Sequence, residues 1–176
     1  GKDVTTIDIL DGATKLETIT IPDSITVISS GSGEGVSSSA FAYCTTLKSI
    51  TVKSTGKVDK PKYASDGGAL YVLAYTDDKV TSKTLMIVPY GKDGEMRIAD
   101  DATAIGNYAL AYSRLSSVEI PSSVVSVGNS AFRNCALLSE VKFLAEKDGE
   151  NAEELTLGES VFYNCNSLTF LTLPGR

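Results

Sequence analysis
Few side chains here could do chemistry. The 176 residues hold three cysteines, no histidine and no tryptophan. Cys44, Cys135 and Cys165 are far apart and odd in number, with no Cys-x-x-Cys pair, which fits neither a metal site nor a disulfide framework. Without an imidazole, Ser-His-Asp and Cys-His nucleophilic schemes are excluded, and His-containing zinc sites with them. Ser54-Thr55-Gly56-Lys57 has the spacing of a lysine-activated serine. The Ser-Asp-Asn and Lys-Thr-Gly elements that complete that machinery are missing, so the match reads as coincidence. Gly31-Ser32-Gly33-Glu34-Gly35 resembles a phosphate cradle, but no strand enters it, no long helix leaves it and no Lys follows. It reads as a flexible insertion.

Carboxylates are the other candidates. Asp77-Asp78, Asp100-Asp101 and Asp148-Gly149-Glu150 offer oxygen ligands for Ca²⁺, but none has the spacing of a calcium loop. They read as solvated faces. No catalytic residue, metal site or cofactor is expected. Lys plus Arg number 16 against 22 Asp plus Glu, a net charge of -6. That balance supplies no basic face for nucleic acid. No apolar run approaches the length of a membrane-spanning helix. Gly1 to Leu10 lacks the basic-then-apolar layout of a signal peptide.

Any binding surface must be positioned by the elements of a repeat. The pattern Leu-x-x-apolar-x-apolar occurs at Leu16-Ile19-Ile21, Leu47-Ile50-Val52, Leu115-Val118-Ile120, Leu138-Val141-Phe143 and Leu168-Leu171-Leu173. With 42% hydrophobic residues, such a pattern alone is weak. Its flanks are specific. They read Ala40-Phe41-x-x-Cys44-x-x-Leu47, Ala131-Phe132-x-x-Cys135-x-x-Leu138 and Val161-Phe162-x-x-Cys165-x-x-Leu168. A degenerate copy reads Ala109-Leu110-x-x-Ser113, with Leu115 one residue early. Pro22, Pro121 and Pro174 each follow the repeat leucine by six residues. Two copies carry insertions, at Ser29 to Ser39 and around Glu146 to Glu154.

A unit of about two dozen residues cannot bury its own apolar side, so its copies must stack into a solenoid. Each leucine segment then gives a short strand, paired in parallel with its neighbours roughly 4.8 Å away. Alternation turns Ile19 and Ile21 inward and Thr18 and Thr20 outward. The phenylalanines reach the core from the opposite wall. The cysteines fill turns as small apolar groups, Cys135 above Cys165, where a disulfide is geometrically conceivable.

At these residues the sequence resembles the BspA-like leucine-rich repeat family, the Treponema pallidum type. Its consensus is Leu-x-x-Ile-x-Ile-Pro-x-x-Val-x-x-Ile-Gly-x-x-Ala-Phe-x-x-Cys-x-x-Leu, and Leu115 to Leu138 follows it almost throughout. The resemblance implies an exported or surface-attached bacterial protein acting in adhesion and protein contact. The expected fold is a leucine-rich-repeat solenoid: a right-handed coil of short parallel β-strands with little helix, forming one domain over residues 1–176. One β-hairpin interrupts it at about 53–95, where Asp66-Gly67-Gly68 turns into two apolar runs, Ala69 to Leu73 and Thr84 to Val88.

The outward ladder positions are the candidate partner-binding face: Thr18, Thr20, Ser49, Thr51, Ser117, Glu119, Glu140, Lys142, Phe170 and Thr172. The expected function is a non-enzymatic, secreted or cell-surface module that binds a protein, such as a host extracellular or cell-surface component. The alternative is a structural spacer or stalk with no ligand of its own. Carbohydrate binding ranks last, because the tyrosines lie mostly off the ladder.

Overall fold
The computed structural model of the chain describes residues 4–7, 10, 13–28, 40, 41, 43–144 and 154–174. Each coil contributes two strands where the sequence pattern indicates one. A second short strand forms ahead of the turn wall, followed by glycine at Gly106, Gly128 and Gly158, because stacking the leucine segments also brings these alternating stretches into register. The second row contains β1 (Thr6–Ile7), β3 (Val27–Ile28), β9 (Ala104–Ile105), β11 (Ser126–Val127) and β13 (Thr156–Leu157). The front row contains β2 (Thr18–Pro22), β4 (Ser49–Lys53), β8 (Asp93–Arg97), β10 (Arg114–Ile120), β12 (Glu140–Phe143) and β14 (Phe170–Thr172). Neighbours within each row are parallel. Proline ends the front strand because it has no N–H for the ladder. The chain turns there, with Val124 N–H donating to the Pro121 carbonyl at 3.1 Å and Ile25 N–H to that of Pro22 at 3.2 Å.

The third wall is built of tight turns, and no helix occurs among the described residues. The turns need left-handed residues at fixed places: Tyr108, Ser130 and Ser160 in one column, Tyr43, Tyr112, Asn134 and Asn164 in another. The Phe slot lies between these columns and points inward. Leu110 N–H donates to the Ala131 carbonyl as Phe132 N–H does to Val161, and Val88 N–H to Ala109 in the same way. The interior column therefore holds Val88, Leu110, Phe132 and Phe162. Phe132 and Phe162 lie 5.1 Å apart between ring centroids. Phe41 occupies the same slot in its own coil and is buried in a separate cluster with Leu47 and Ile50.

The cysteine slot has a physical reason. The thiols of Cys44, Cys135 and Cys165 each donate to the Phe-slot carbonyl of an earlier coil: Leu10, Leu110 and Phe132, at 3.2, 3.1 and 2.9 Å. A small apolar group with a weak donor suits that turn. Ser113 fills the slot in the degenerate coil, 3.5 Å from the Cys135 sulfur. The hydrogen bond with Cys165, and then burial, push the Cys135 thiol well above its ordinary range.

The interruption is a partition. β5 (Tyr63–Asp66), β6 (Ala69–Thr76) and β7 (Lys79–Ile87) are antiparallel, and β7 pairs in parallel with β9. The expected hairpin is β6–β7; β5 adds a strand that the sequence pattern does not show. Successive residues of β6 face opposite sides. Leu70 joins the core around Phe41, whereas Ala69 and Tyr71 join the core that runs on to Val161. A strand buried on both faces needs a continuous apolar run, which is what Ala69 to Leu73 supplies. The repeat resumes earlier than the sequence pattern indicates, since Val88 already stands in the Phe slot.

Candidate interaction face on the four-stranded sheet
The ten outward positions fall on two ladders. β2 and β4 form one, pairing Thr18 with Ser49 and Thr20 with Thr51. β8, β10, β12 and β14 form the other. The expectation of a single ladder fails because the free side of β4 is occupied by the inserted turn. Ile50 N–H donates to the Gly68 carbonyl at 2.9 Å, and Val52 N–H to Ser65 Oγ at 2.9 Å.

The two ladders differ in chemistry. The first presents four hydroxyls, with one exposed charge, Lys53, at the end of β4. The second carries charge in two rows fixed by strand register. Glu95, Ser117, Glu140 and Phe170 align in one row; Arg97, Glu119, Lys142 and Thr172 align in the next. Six of these side chains rim a shallow depression of about 270 Å³ whose floor is β10 at Val118 and β8 at Met96. A sequence pattern taken as interrupted up to residue 95 misses Glu95 and Arg97. The signal is present: Met96 and Ile98 are inward, so their neighbours must be outward.

The second row is internally neutralised. Glu119 lies 3.2 Å from Arg97 and 3.8 Å from Lys142, and Arg97 also pairs with Asp100 at 2.7 Å. The Asp100 hydrogen bond, above all, raises the Arg97 guanidinium further above its ordinary value. Exposed pairs like these contribute little stability. They do hold three side chains in fixed places. Glu95 and Glu140 have no ion pair among the described residues, and Ser117 stands between them. Phe170 is 66% exposed on the edge strand. Leu171 keeps the inward register, opposite the buried Val141, yet Leu171 and Leu173 are 43% and 49% exposed. No described coil lies beyond β14 to cover them.

The motifs singled out for chemistry have structural partners. Ser54 Oγ donates to Asp23 at 2.9 Å; Thr55 donates to the same carboxylate through N–H at 2.9 Å and Oγ1 at 2.6 Å. This carboxylate holds the loop after β4. Asp78 pairs with Lys60, Asp100 with Arg97, and Asp101 with Lys83. Gly31–Gly35 and Asp148–Glu150 lie outside the described residues.

The Thr55 hydroxyl, more than any other group, holds the Asp23 carboxyl below its ordinary value of 3.8. A carboxyl depressed by folding stabilises the native state above its unfolded pKa and loses that contribution as pH falls through the folded value. Asp23→Asn is therefore expected to be less stable than the wild type at neutral pH. The two thermal midpoints should converge below pH 3.8. A constant gap across an acid titration would contradict this account.

A solenoid of short parallel strands, with leucine and phenylalanine recurring at fixed places in its coils, defines a leucine-rich-repeat protein. The BspA type leucine rich repeat region matches six copies over residues 11–60 and 94–176. The chain belongs to this family. Among curated proteins none matches it. Solved structures share the fold. A leucine rich cell surface protein from Faecalibacterium prausnitzii is 22% identical with a TM-score of 0.58, over 98% of this chain and 52% of that one. A leucine-rich repeat protein from Eubacterium ventriosum is 21% identical with a TM-score of 0.51, over 90% and 49%. The pneumococcal vaccine antigen PcpA is 19% identical with a TM-score of 0.55, over 92% and 39%. The chain thus spans about half the length of these structures or less.

Proposed function
We propose that the chain is a non-enzymatic interaction module of a secreted or surface-attached bacterial protein, and that it binds a protein partner across the β8–β10–β12–β14 sheet. In this reading residues 1–176 are one domain with the hairpin as an insertion. Family membership supports the interaction role, and the F. prausnitzii relative is described as a cell surface protein. The observation that carries the choice of face is the unequal pairing of its two rows. Arg97, Glu119 and Lys142 satisfy one another, whereas Glu95 and Glu140 stand on either side of Ser117 without a cation among the described residues. A partner presenting a lysine or arginine side chain fills that place. Its contribution falls as salt screens the charges.

The test is capture of extracellular-matrix and cell-surface proteins by the purified chain and by a triple variant, Glu119→Ala, Glu140→Ala and Lys142→Ala. The captured partner is expected to bind the variant at least tenfold more weakly, with the thermal midpoint nearly unchanged. Equal binding by both would refute the assignment of this face. Failure to capture any partner at high concentration would support the spacer reading.

A further inference from the structure
Three of the eight tyrosines gather on the turn wall. Two residues after the Phe slot, successive coils carry Tyr43, Tyr90, Tyr112, Asn134 and Asn164, one beneath another on the turn wall. Tyr90 and Tyr112 rings lie 5.8 Å apart and tilted by 35°. Burial, then the nearby Tyr112 and Tyr43 phenols, push the Tyr90 hydroxyl well above its ordinary range. Asn164 Nδ2 donates to Asn134 Oδ1 at 2.8 Å. The column is thus aromatic in its first three coils and amide in the last two.

The backbone makes the aromatic half unexpected. Tyr43, Tyr112, Asn134 and Asn164 have φ of 59°, 62°, 59° and 60°. Asparagine tolerates this left-handed region, whereas an aromatic residue there is a marked outlier. Two tyrosines therefore persist against the local preference. Stacking on Tyr90 alone would favour burying them, yet Tyr43 is 55% and Tyr112 47% exposed.

We propose that this column binds a neutral oligosaccharide chain. Its three tyrosines offer ring surface for sugar C–H faces, and its phenols and amides offer paired donors and acceptors for hydroxyls. None of its five side chains is charged, so acidic and basic partners find no counter-ion in it. The nearby Arg133 guanidinium is already engaged, 4.4 Å over the Tyr163 ring. One contact group per coil, with the Tyr90 and Tyr112 rings 5.8 Å apart, matches a linear ligand of repeating units better than a compact one.

The equivalent coils suggest the test. Tyr43→Asn with Tyr112→Asn installs the residue that the last two coils already use, so the fold is expected to survive with a thermal midpoint within about 4 °C of the wild type. Cellohexaose, maltohexaose, mannohexaose and chitohexaose are titrated into the 176-residue protein, followed by tyrosine fluorescence, which no tryptophan obscures. At least one hexaose should bind saturably, and the double variant should bind it at least tenfold more weakly. The triple variant of the front sheet should bind it normally, which separates this site from the protein-binding face. No saturable signal with any of the four, or equal binding by the double variant, would overturn the proposal. So would concentration-dependent self-association of the wild type that the double variant abolishes, since the column would then be a protein contact.

Discussion

Phe132→Ala is expected to lower folding stability by about 3–5 kcal/mol. Phe132 is fully buried, with the ring of Phe162 5.1 Å away. The space it leaves cannot close easily. Its N–H donates to the Val161 carbonyl, and its own carbonyl accepts from the Cys165 thiol and from the Cys135 N–H. These bonds set the distance between coils, so a neighbour would have to break the ladder to fill the void. Phe162→Ala removes the same group from a partly exposed site packed against the edge of the core. It should cost clearly less. Urea denaturation of the two variants tests the comparison, and equal losses would mean that the Phe column is not the rigid interior described above. A loss of this size is a large part of the roughly 5–15 kcal/mol typical of a whole domain.

The same column explains what the sequence reveals and what it hides. Phe132 and Phe162, with the cysteines three residues on, recur because each touches the equivalent residue of a neighbouring coil, while Phe41 keeps the same slot in a cluster of its own. Contact between like residues makes like residues repeat. The leucines of the front strands recur for the same reason. The break between β4 and β8 has no such signature. Asp66-Gly67-Gly68 reads as a turn, but nothing local says that its carbonyl will bond Ile50 and close one edge of the ladder. Glu95 and Arg97 are legible only through the inward alternation of Met96 and Ile98, which a search for the repeat leucine passes over. The tyrosine column is hidden because its members share a place in the coil rather than a residue type. Tyr90 is the extreme case, since Gly91 rather than a cysteine follows it.

Gly128→Ala is the second large effect, expected at about 3 kcal/mol, the upper end of what an added group costs in a packed interior. The reason is space and not backbone freedom. A Cβ on Gly128 would lie 2.5 Å from the Asn107 backbone nitrogen, 2.5 Å from Asn107 Oδ1 and 2.7 Å from the Gly106 carbonyl carbon. Those atoms cannot retreat. Asn107 Oδ1 accepts the Asn129 N–H at 2.8 Å, and Asn129 Oδ1 accepts the Glu159 N–H at 2.8 Å, so the asparagines pin consecutive coils together where the glycines let them approach. Gly158 repeats the arrangement over Asn129. Gly94 provides the contrast. It has a φ of +75°, and a Cβ there would meet nothing within 4 Å. Gly94→Ala therefore carries only a conformational cost of about 1–2 kcal/mol. If chemical denaturation finds Gly94→Ala as damaging as Gly128→Ala, backbone conformation rather than coil spacing governs these positions. If Gly128→Ala alone collapses stability, the glycine of the repeat is there because its missing side chain would point along the solenoid axis into the preceding coil.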